Sequence, residues 1–127
     1  IELINNFQFT RDGFTRGISL TDVSGSNGFI MVPPGSDSRT GIRKIISGVT
    51  TFLFSTSTDI VKIAIKWNGS TADIFVNGVK VVTATSFPFT ALELLSLNGG
   101  DVPKNIKSLL LSATPLSDTE CVTLTTL

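Results

Sequence analysis

Residues 66–82, KWNGSTADIFVNGVKVV, carry the strongest fold signal in this chain. The segment contains two Asn-Gly pairs, Asn68-Gly69 and Asn77-Gly78, with strand-forming residues around them. Asn and Gly tolerate positive φ, which the type I′ turn of a tight β-hairpin requires at both central residues. The segment therefore predicts a meander of three antiparallel strands. The expected strands are residues 60–67, 72–76 and 79–84.

The second Asn-Gly pair also predicts how two of these strands pair. A two-residue loop at Asn77-Gly78 places Val76 opposite Val79. The further expected pairs are Phe75 with Lys80, Ile74 with Val81, and Asp73 with Val82. In this register one apolar face is shared by Ile74, Val76, Val79 and Val81. In the preceding strand, polar and apolar residues alternate and therefore point to opposite faces. One face bears Lys62, Ala64 and Lys66. The apolar face bears Val61, Ile63, Ile65 and Trp67.

The rest of the chain repeats short strand-like runs bounded by Gly, Pro, Asn, Asp or Ser. Further strands are expected at residues 1–10, 17–22, 29–32, 42–46, 49–54, 92–97 and 106–112. The ending PLSDTECVTL differs, because Ser117 and Glu120 fit a capping box and Asp118 favours a first helical turn. The pattern predicts an all-β, antiparallel fold of two packed sheets or a closed barrel, with a short C-terminal helix. A chain of 127 residues is expected to form a single domain, residues 1–127.

The composition limits the classes of partner. Ten basic and ten acidic residues cancel without forming runs, so no nucleic-acid partner is expected. No apolar run approaches the roughly 20 residues of a membrane span, and membrane insertion is not expected. The single cysteine, Cys121, is expected to be a small buried hydrophobe. Because the mean hydropathy is positive and only 16% of the residues are charged, part of the surface is expected to be covered by another copy or by a parent chain. The sequence also lacks an initiating Met and is expected to be a fragment of something longer.

Four motifs in order, IAIKWNG, IFVNG, NIKSLLL and LSDTE, resemble the concanavalin A-like lectin/glucanase jelly roll in its laminin-G-like or pentraxin-like form. The early ISLTD-x-SGSN stretch, taken with these motifs, is similar to lectin-like modules at the C-terminal ends of bacteriophage tail spikes and tail fibres. The resemblance implies a two-sheet β-sandwich of jelly-roll type. It also implies a place in the virion, with synthesis in the cytoplasm of the bacterial host.

The function that this resemblance implies is recognition of a cell-surface polysaccharide or other glycan on the host, through loops at one end of the sandwich or through its concave sheet. The alternative is a C-terminal trimerisation module that stabilises the parent fibre and binds no glycan. A third option is an accessory domain of a secreted bacterial enzyme. In the first two cases the partners include the rest of the parent chain and two further copies in a homotrimer.

Catalysis is not expected. The chain has no His and one Cys, so neither a catalytic triad nor a thiolate metal site can be assembled. Glycosidases of the resembled fold place two carboxyl groups roughly 5 Å apart. Here Glu2, Glu93 and Glu120 are scattered along the sequence.

Several residues are candidates for ligand contact. The chain has no Tyr, so Trp67, beside Asn68, is the side chain most similar to a sugar-stacking platform, although its alternation also fits core or rim packing. Phe75 and Lys80 share the more polar side of the hairpin, where Phe75 is covered by another chain or free for contact. The lysines Lys62, Lys66 and Lys80 form a solvated face or a site for an anionic glycan.

Relatives of the resembled family bind Ca²⁺ through loop oxygens, which makes two pairs of loop residues candidate calcium ligands. The pairs are Asp22 with Asn27, and Asn98 with Asp101. The alternative is that these four residues make local hydrogen bonds in turns. No other cofactor is expected.

Overall fold

A computed structural model of the chain describes residues 2–3, 19–32, 40–56, 62–88, 94–96, 106–108, 114 and 116–127. The described residues form mostly antiparallel β-structure with one short helix, as the sequence predicted. The strands are β1 Glu2–Leu3, β2 Ser19–Thr21, β3 Gly28–Val32, β4 Thr40–Ile46, β5 Val49–Thr56, β6 Ile63–Trp67, β7 Thr71–Val76, β8 Val79–Ser86, β9 Leu94–Ser96 and β10 Ile106–Ser108, and the helix is α1 Asp118–Thr125. The chain divides into two compact units, one with β1, β6 to β8, β10 and α1, the other with β2 to β5 and β9.

The meander predicted from residues 66–82 is present as a three-stranded sheet in the order β6-β7-β8. Asn77 and Gly78 have φ of 48° and 85°, as a type I′ turn requires. At the other Asn-Gly pair, only Gly69 has positive φ (88°), and Asn68 N–H instead donates to the Thr71 carbonyl across a longer loop. The two pairs therefore form different turns.

The hairpin register is as predicted next to the turn and wrong beyond it. Val76 pairs with Val79 and Phe75 with Lys80, but Ile74 lies opposite Val82 rather than Val81. Two register shifts in β8 change the pairing, so Asp73 does not face Val82 either. Ala84 adopts a φ of 49°, and its N–H donates to the Asp73 carboxylate at 2.7 Å. This side-chain acceptor stabilises the bulged backbone, because it gives the irregular amide a partner.

The second unit contains a five-stranded sheet in the order β5-β4-β3-β2-β9. The β4 to β5 connection is the tight turn Ser47-Gly48, with φ of 50° and 77°. The loop between β2 and β3 lies against this turn, since Ser47 N–H donates to Asn27 Oδ1 at 2.8 Å and Gly48 N–H to the Ser26 carbonyl at 2.9 Å. The loop and the turn therefore support each other at one end of the sheet.

Several predicted strands differ in length from the observed ones. Of residues 1–10, the described part forms strand only at Glu2–Leu3, which pairs with β10. Strand β2 ends at Thr21, one residue before the predicted end, because Asp22 begins a turn. The predicted strands at 92–97 and 106–112 are described at Leu94–Ser96 and Ile106–Ser108. The remaining positions of these predictions lie outside the described residues.

Helix α1 confirms the capping-box prediction. Ser117 is the N-cap, its hydroxyl oxygen accepts from Glu120 N–H, and the Glu120 carboxylate accepts from Ser117 N–H. Cys121 is buried in this helix, as expected, and burial raises the pKa of its thiol. The helix packs against β6, β7 and β8. Within the described residues, no helix is long and apolar enough to cross a membrane.

Candidate ligand-binding surface

One face of the five-stranded sheet carries a continuous row of side chains across four strands. Ser19 lies opposite Ile30, Ile30 opposite Arg43, and Arg43 opposite Phe52. Directly opposed residues of antiparallel strands share a face. We call these four residues the Arg43–Phe52 row. Its members are half-buried except Phe52, which is 50% exposed, so the row is accessible at its β5 end.

Phe52 is held in place by its neighbours on β4. A Cβ added at Gly41 would lie 2.6 Å from Phe52 Cζ, so the ring rests directly on the glycine backbone. A register shift beside Arg43 sets this arrangement, because Ile42 pairs with Phe54 while Arg43 pairs with Phe52. The guanidinium carbon of Arg43 lies 5.3 Å from the ring centroid, within the range of a cation–π interaction. Phe52 is thus an exposed aromatic ring in a fixed orientation.

The sequence did not single out Arg43 or Phe52. Its available signal was Gly41, since a glycine inside a strand indicates a close approach of another group. Contact with a ring eleven residues later depends on the β4 to β5 register, and residues 49–54 show no clean alternation that would define it.

The predicted contact residues on the hairpin occupy opposite faces of the three-stranded sheet. Phe75 pairs with both Ala64 and Lys80, on the side that also carries Lys66. Trp67 pairs with Ala72 on the other side and is half-buried at the end of β6. Phe75 and Lys80 therefore do not share a face with Trp67.

Phe75 is covered by its own chain, an arrangement that neither sequence interpretation included. Its exposed fraction is 0%. It lies on the face against which α1 packs, and Lys80 Nζ is 5.6 Å from its ring centroid. In this arrangement the ring is closed to a ligand or a second chain.

The lysines of this face form ion pairs with the helix and with β7. Asp118 of α1 accepts hydrogen bonds from Lys66 and, at 2.9 Å, from Lys80. Asp73 lies 3.0 Å from Lys80 Nζ and 3.9 Å from Lys66 Nζ. Lys62 Nζ donates to the Thr126 carbonyl at 2.8 Å. The predicted solvated or glycan-binding lysine face is thus a contact surface for the C-terminal helix.

The Asn77-Gly78 turn also contacts this C-terminal segment. Gly78 N–H donates to Thr125 Oγ1 at 3.2 Å, and a Cβ at Gly78 would approach Thr126 Oγ1 to 3.1 Å. Asn77 Oδ1 accepts from Lys62 N–H at 3.0 Å. This turn therefore closes the hairpin and also contacts the C-terminal end of α1. At the other turn, Asn68 Oδ1 accepts from the N–H groups of Ser70 and Thr71, both at 2.9 Å.

The ion pairs of Lys66 and Lys80 with Asp73 and Asp118 predict that the stability of the fold depends on pH. The ammonium groups of Lys66 and Lys80 lower the pKa of Asp118. Burial acts to raise the pKa of Asp73, but hydrogen bonds from Ala84 N–H and Lys80 outweigh it, so that pKa is also lowered. Stability from a lowered carboxyl pKa is complete above the ordinary value of 3.8 and is lost as pH falls through the lowered value.

We therefore expect the thermal midpoint to fall between about pH 5 and about pH 2, and Asp118→Asn to make this fall shallower. Melting curves followed by circular dichroism across this range measure the slope. As a control, Asp118→Asn should change the slope much less in a chain that already carries Lys66→Gln and Lys80→Gln. An unchanged slope in the single variant would contradict a stabilising role for Asp118.

The loop between β2 and β3 brings together the first predicted calcium pair. Asn27 Nδ2–H donates to Asp22 Oδ2 at 2.7 Å, while Asp22 Oδ1 accepts from the Ser24 hydroxyl and from the N–H groups of Ser26 and Asn27. The hydrogen bond from Asn27 is the main cause that lowers the pKa of Asp22. A calcium ion here would have to displace these bonds, which match the alternative of local turn contacts.

The second predicted calcium pair, Asn98 and Asp101, lies outside the described residues. Among the residues that the structure does describe, no group of three or more His, Cys, Asp and Glu side chains could hold a metal ion.

Comparisons with protein-family models, with curated proteins and with solved structures find no match to this chain.

Proposed function

We propose that this chain is a non-catalytic carbohydrate-binding module whose ligand lies on the Arg43–Phe52 row. The observation that carries the proposal is the half-exposed ring of Phe52, fixed on a sheet face beside a guanidinium. Sugars present C–H groups on one side of the pyranose ring, and an aromatic face offers apolar contact to that side. Polar groups nearby then select orientation.

Two hydroxyl-bearing side chains lie on the same sheet face as the aromatic ring. Thr50 is exposed on β5, and its opposition to Ile45 places it on the same face as Phe52 and Arg43. Ser19 is half-buried at the other end of the row. Their hydroxyl groups can donate to and accept from sugar hydroxyls. This face thus combines one apolar platform with the hydroxyl group of Thr50 on the same strand and that of Ser19 three strands away.

The finer parts of the proposal rest on the sequence resemblance. We place the chain in the concanavalin A-like jelly-roll class, as the C-terminal module of a phage tail spike or tail fibre. Its ligand is then a polysaccharide on the bacterial surface, and its parent protein is part of the virion. The antiparallel sheets and the capped C-terminal helix are compatible with this class.

Removal of the aromatic platform tests the function. We expect Phe52→Ala to weaken glycan binding at least about tenfold, because the ring supplies the main apolar contact. The free energy of unfolding should change by about 1 kcal/mol or less, since the ring is half-exposed. Binding of the wild-type chain to a glycan array, followed by titration of the strongest glycan, measures the effect.

Thr51→Ala is the matched control for this variant. Thr51 is the exposed neighbour of Phe52, but it lies opposite Lys44 and so on the other face of β5. The control should retain wild-type glycan affinity. Equal affinity in Phe52→Ala and the wild-type chain would contradict the placement of the ligand on this row.

The second candidate function is homotrimer assembly without glycan binding. Exposed apolar side chains favour it: Val49 is 67% exposed and Phe52 50% on β5, the outermost strand of its sheet among those described. Leu124 and Leu127 are 50% and 73% exposed at the C-terminus. An outer strand with apolar side chains is a surface on which another chain can pair.

The mass of the chain in solution, measured with the glycan array, separates the two functions. Trimers without any glycan signal would contradict the carbohydrate-binding proposal. Monomers with a clear glycan signal would contradict the assembly proposal.

A further inference from the structure

Arg43 keeps a positive charge that no described residue neutralises. Its side chain is half-buried, and Nε is fully enclosed without a hydrogen-bond acceptor. The only contact recorded for its guanidinium within the described residues is the ring of Phe52, at 5.3 Å. By contrast, Lys66 and Lys80 share the carboxylates of Asp73 and Asp118.

Among the described residues no counter-ion lies beside Arg43, and a half-buried cation without one is unfavourable in the free protein. Burial removes water from the charged group, and an enclosed N–H without an acceptor adds a further cost. A cation–π contact recovers only part of this cost. An anion that binds beside Phe52 would supply the missing charge.

We propose that the Arg43–Phe52 row selects a pyranose that bears a carboxylate, such as a hexuronic acid or a sialic acid. This inference rests on the proposed carbohydrate-binding function. The sugar ring stacks on Phe52, and its carboxylate substituent accepts hydrogen bonds from the guanidinium of Arg43. The carboxylate is planar and matches the planar array of guanidinium donors, which favours paired hydrogen bonds.

The choice of an acidic sugar follows from the adjacent positions of the Phe52 ring and the Arg43 guanidinium. A neutral sugar on Phe52 would leave the Arg43 charge without a partner among the described residues, whereas a small anion alone would make no use of the exposed ring. A carboxylate attached directly to a pyranose carbon satisfies both groups at once. The ligand is therefore an acidic sugar in preference to a neutral sugar or a free anion.

Matched glycosides test the selection. Nuclear magnetic resonance titrations of the wild-type chain would use methyl β-glucuronide against methyl β-glucoside, and the methyl α-glycoside of a sialic acid against the methyl ester of the same glycoside. In each pair the neutral member lacks only the carboxylate charge of the acidic one, and the two pairs distinguish a hexuronic acid from a sialic acid as the source of that carboxylate. We expect one acidic member to bind at least about tenfold more tightly than its neutral partner.

Two variants connect the selection to Arg43. Arg43→Gln should lower affinity for the acidic glycoside at least about tenfold and affinity for the neutral one by a smaller factor, so that the preference for the acidic member is largely lost. Arg43→Lys, which keeps the charge but not the planar donors, should give an intermediate loss and serves if Arg43→Gln does not fold. Lys44→Gln is the matched control, because it removes the same charge from the next residue on the opposite face of β4. It should alter affinity less than about twofold.

The outcomes separate this inference from the function on which it rests. Equal affinity for acidic and neutral glycosides, or full acidic-sugar binding by Arg43→Gln, would overturn the inference and leave carbohydrate binding intact. Absence of binding to these glycosides and to every glycan on an array would overturn both.

Discussion

Replacement of Phe75 by alanine is expected to lower the free energy of unfolding by about 3–5 kcal/mol. The side chain is 0% exposed, and it lies on the sheet face on which Lys66 and Lys80 pair with Asp118 of helix α1. Truncation removes the burial of an aromatic ring and leaves a cavity that the paired strands cannot close. It also removes the ring that Lys80 contacts, and so weakens the packing of the helix against the sheet.

Urea unfolding followed by the fluorescence of Trp67 measures this effect, because the only tryptophan of the chain lies in the same sheet. Val79→Ala is the matched control. Val79 belongs to the same hairpin but is 61% exposed, so its truncation should cost less than about 1 kcal/mol. If Phe75→Ala were as stable as Val79→Ala, Phe75 would not be a core residue and α1 would not cover it.

The burial of Phe75 shows what a local pattern cannot include. Alternation correctly placed Phe75 and Lys80 on one side of the hairpin. The cover comes from a helix more than forty residues later, whose Asp118 pairs with Lys66 and Lys80. The sequence contained the capping box that begins this helix, but no local signal says which sheet face it meets.

Turns and caps were predictable because their causes are local. The Asn77-Gly78 turn and the Ser117 cap depend on the conformational preferences and hydrogen bonds of a few adjacent residues. The register beyond Phe75 was not predictable in the same way. It depends on bulges in β8, one of which is stabilised by Asp73 from the neighbouring strand.

The candidate site required tertiary information for the same reason. Arg43 and Phe52 meet only because the β4 to β5 pairing contains a register shift, and Gly41 leaves room for the ring. Conversely, Asp22, Asn27 and Asn68 have oxygens that suit a ligand, yet each already accepts hydrogen bonds within its own unit. Residue type suggested Asp22, Asn27 and Asn68 as ligand contacts, whereas cross-strand position identified Arg43 and Phe52.

The same dependence on close packing makes Gly28→Ala a severe change. Gly28 is buried at the start of β3 with a φ of 154°, and it pairs with Thr21 of β2. A Cβ here would lie 2.2 Å from the Leu20 carbonyl oxygen and 2.6 Å from Thr21 Cα. Both are backbone atoms, so no side-chain rotation can relieve the contact. We expect a loss of about 3–5 kcal/mol in the free energy of unfolding, from the combined cost of overpacking and backbone strain.

Gly25→Ala provides the control that separates backbone strain from overlap. Gly25 lies in the loop between β2 and β3 with a φ of 71°, and a Cβ there would meet no atom within 4 Å. Its substitution should cost only about 1–2 kcal/mol, the strain of a left-handed residue that carries a side chain. Urea unfolding followed by far-ultraviolet circular dichroism compares the two variants. Equal losses would mean that β2 and β3 do not approach so closely at Gly28, whereas a larger loss in Gly28→Ala locates the additional cost in backbone contact.

Because Gly28 lies two residues before Ile30 on the face of the Arg43–Phe52 row, Gly28→Ala should also weaken glycan binding, while Gly25→Ala should preserve it.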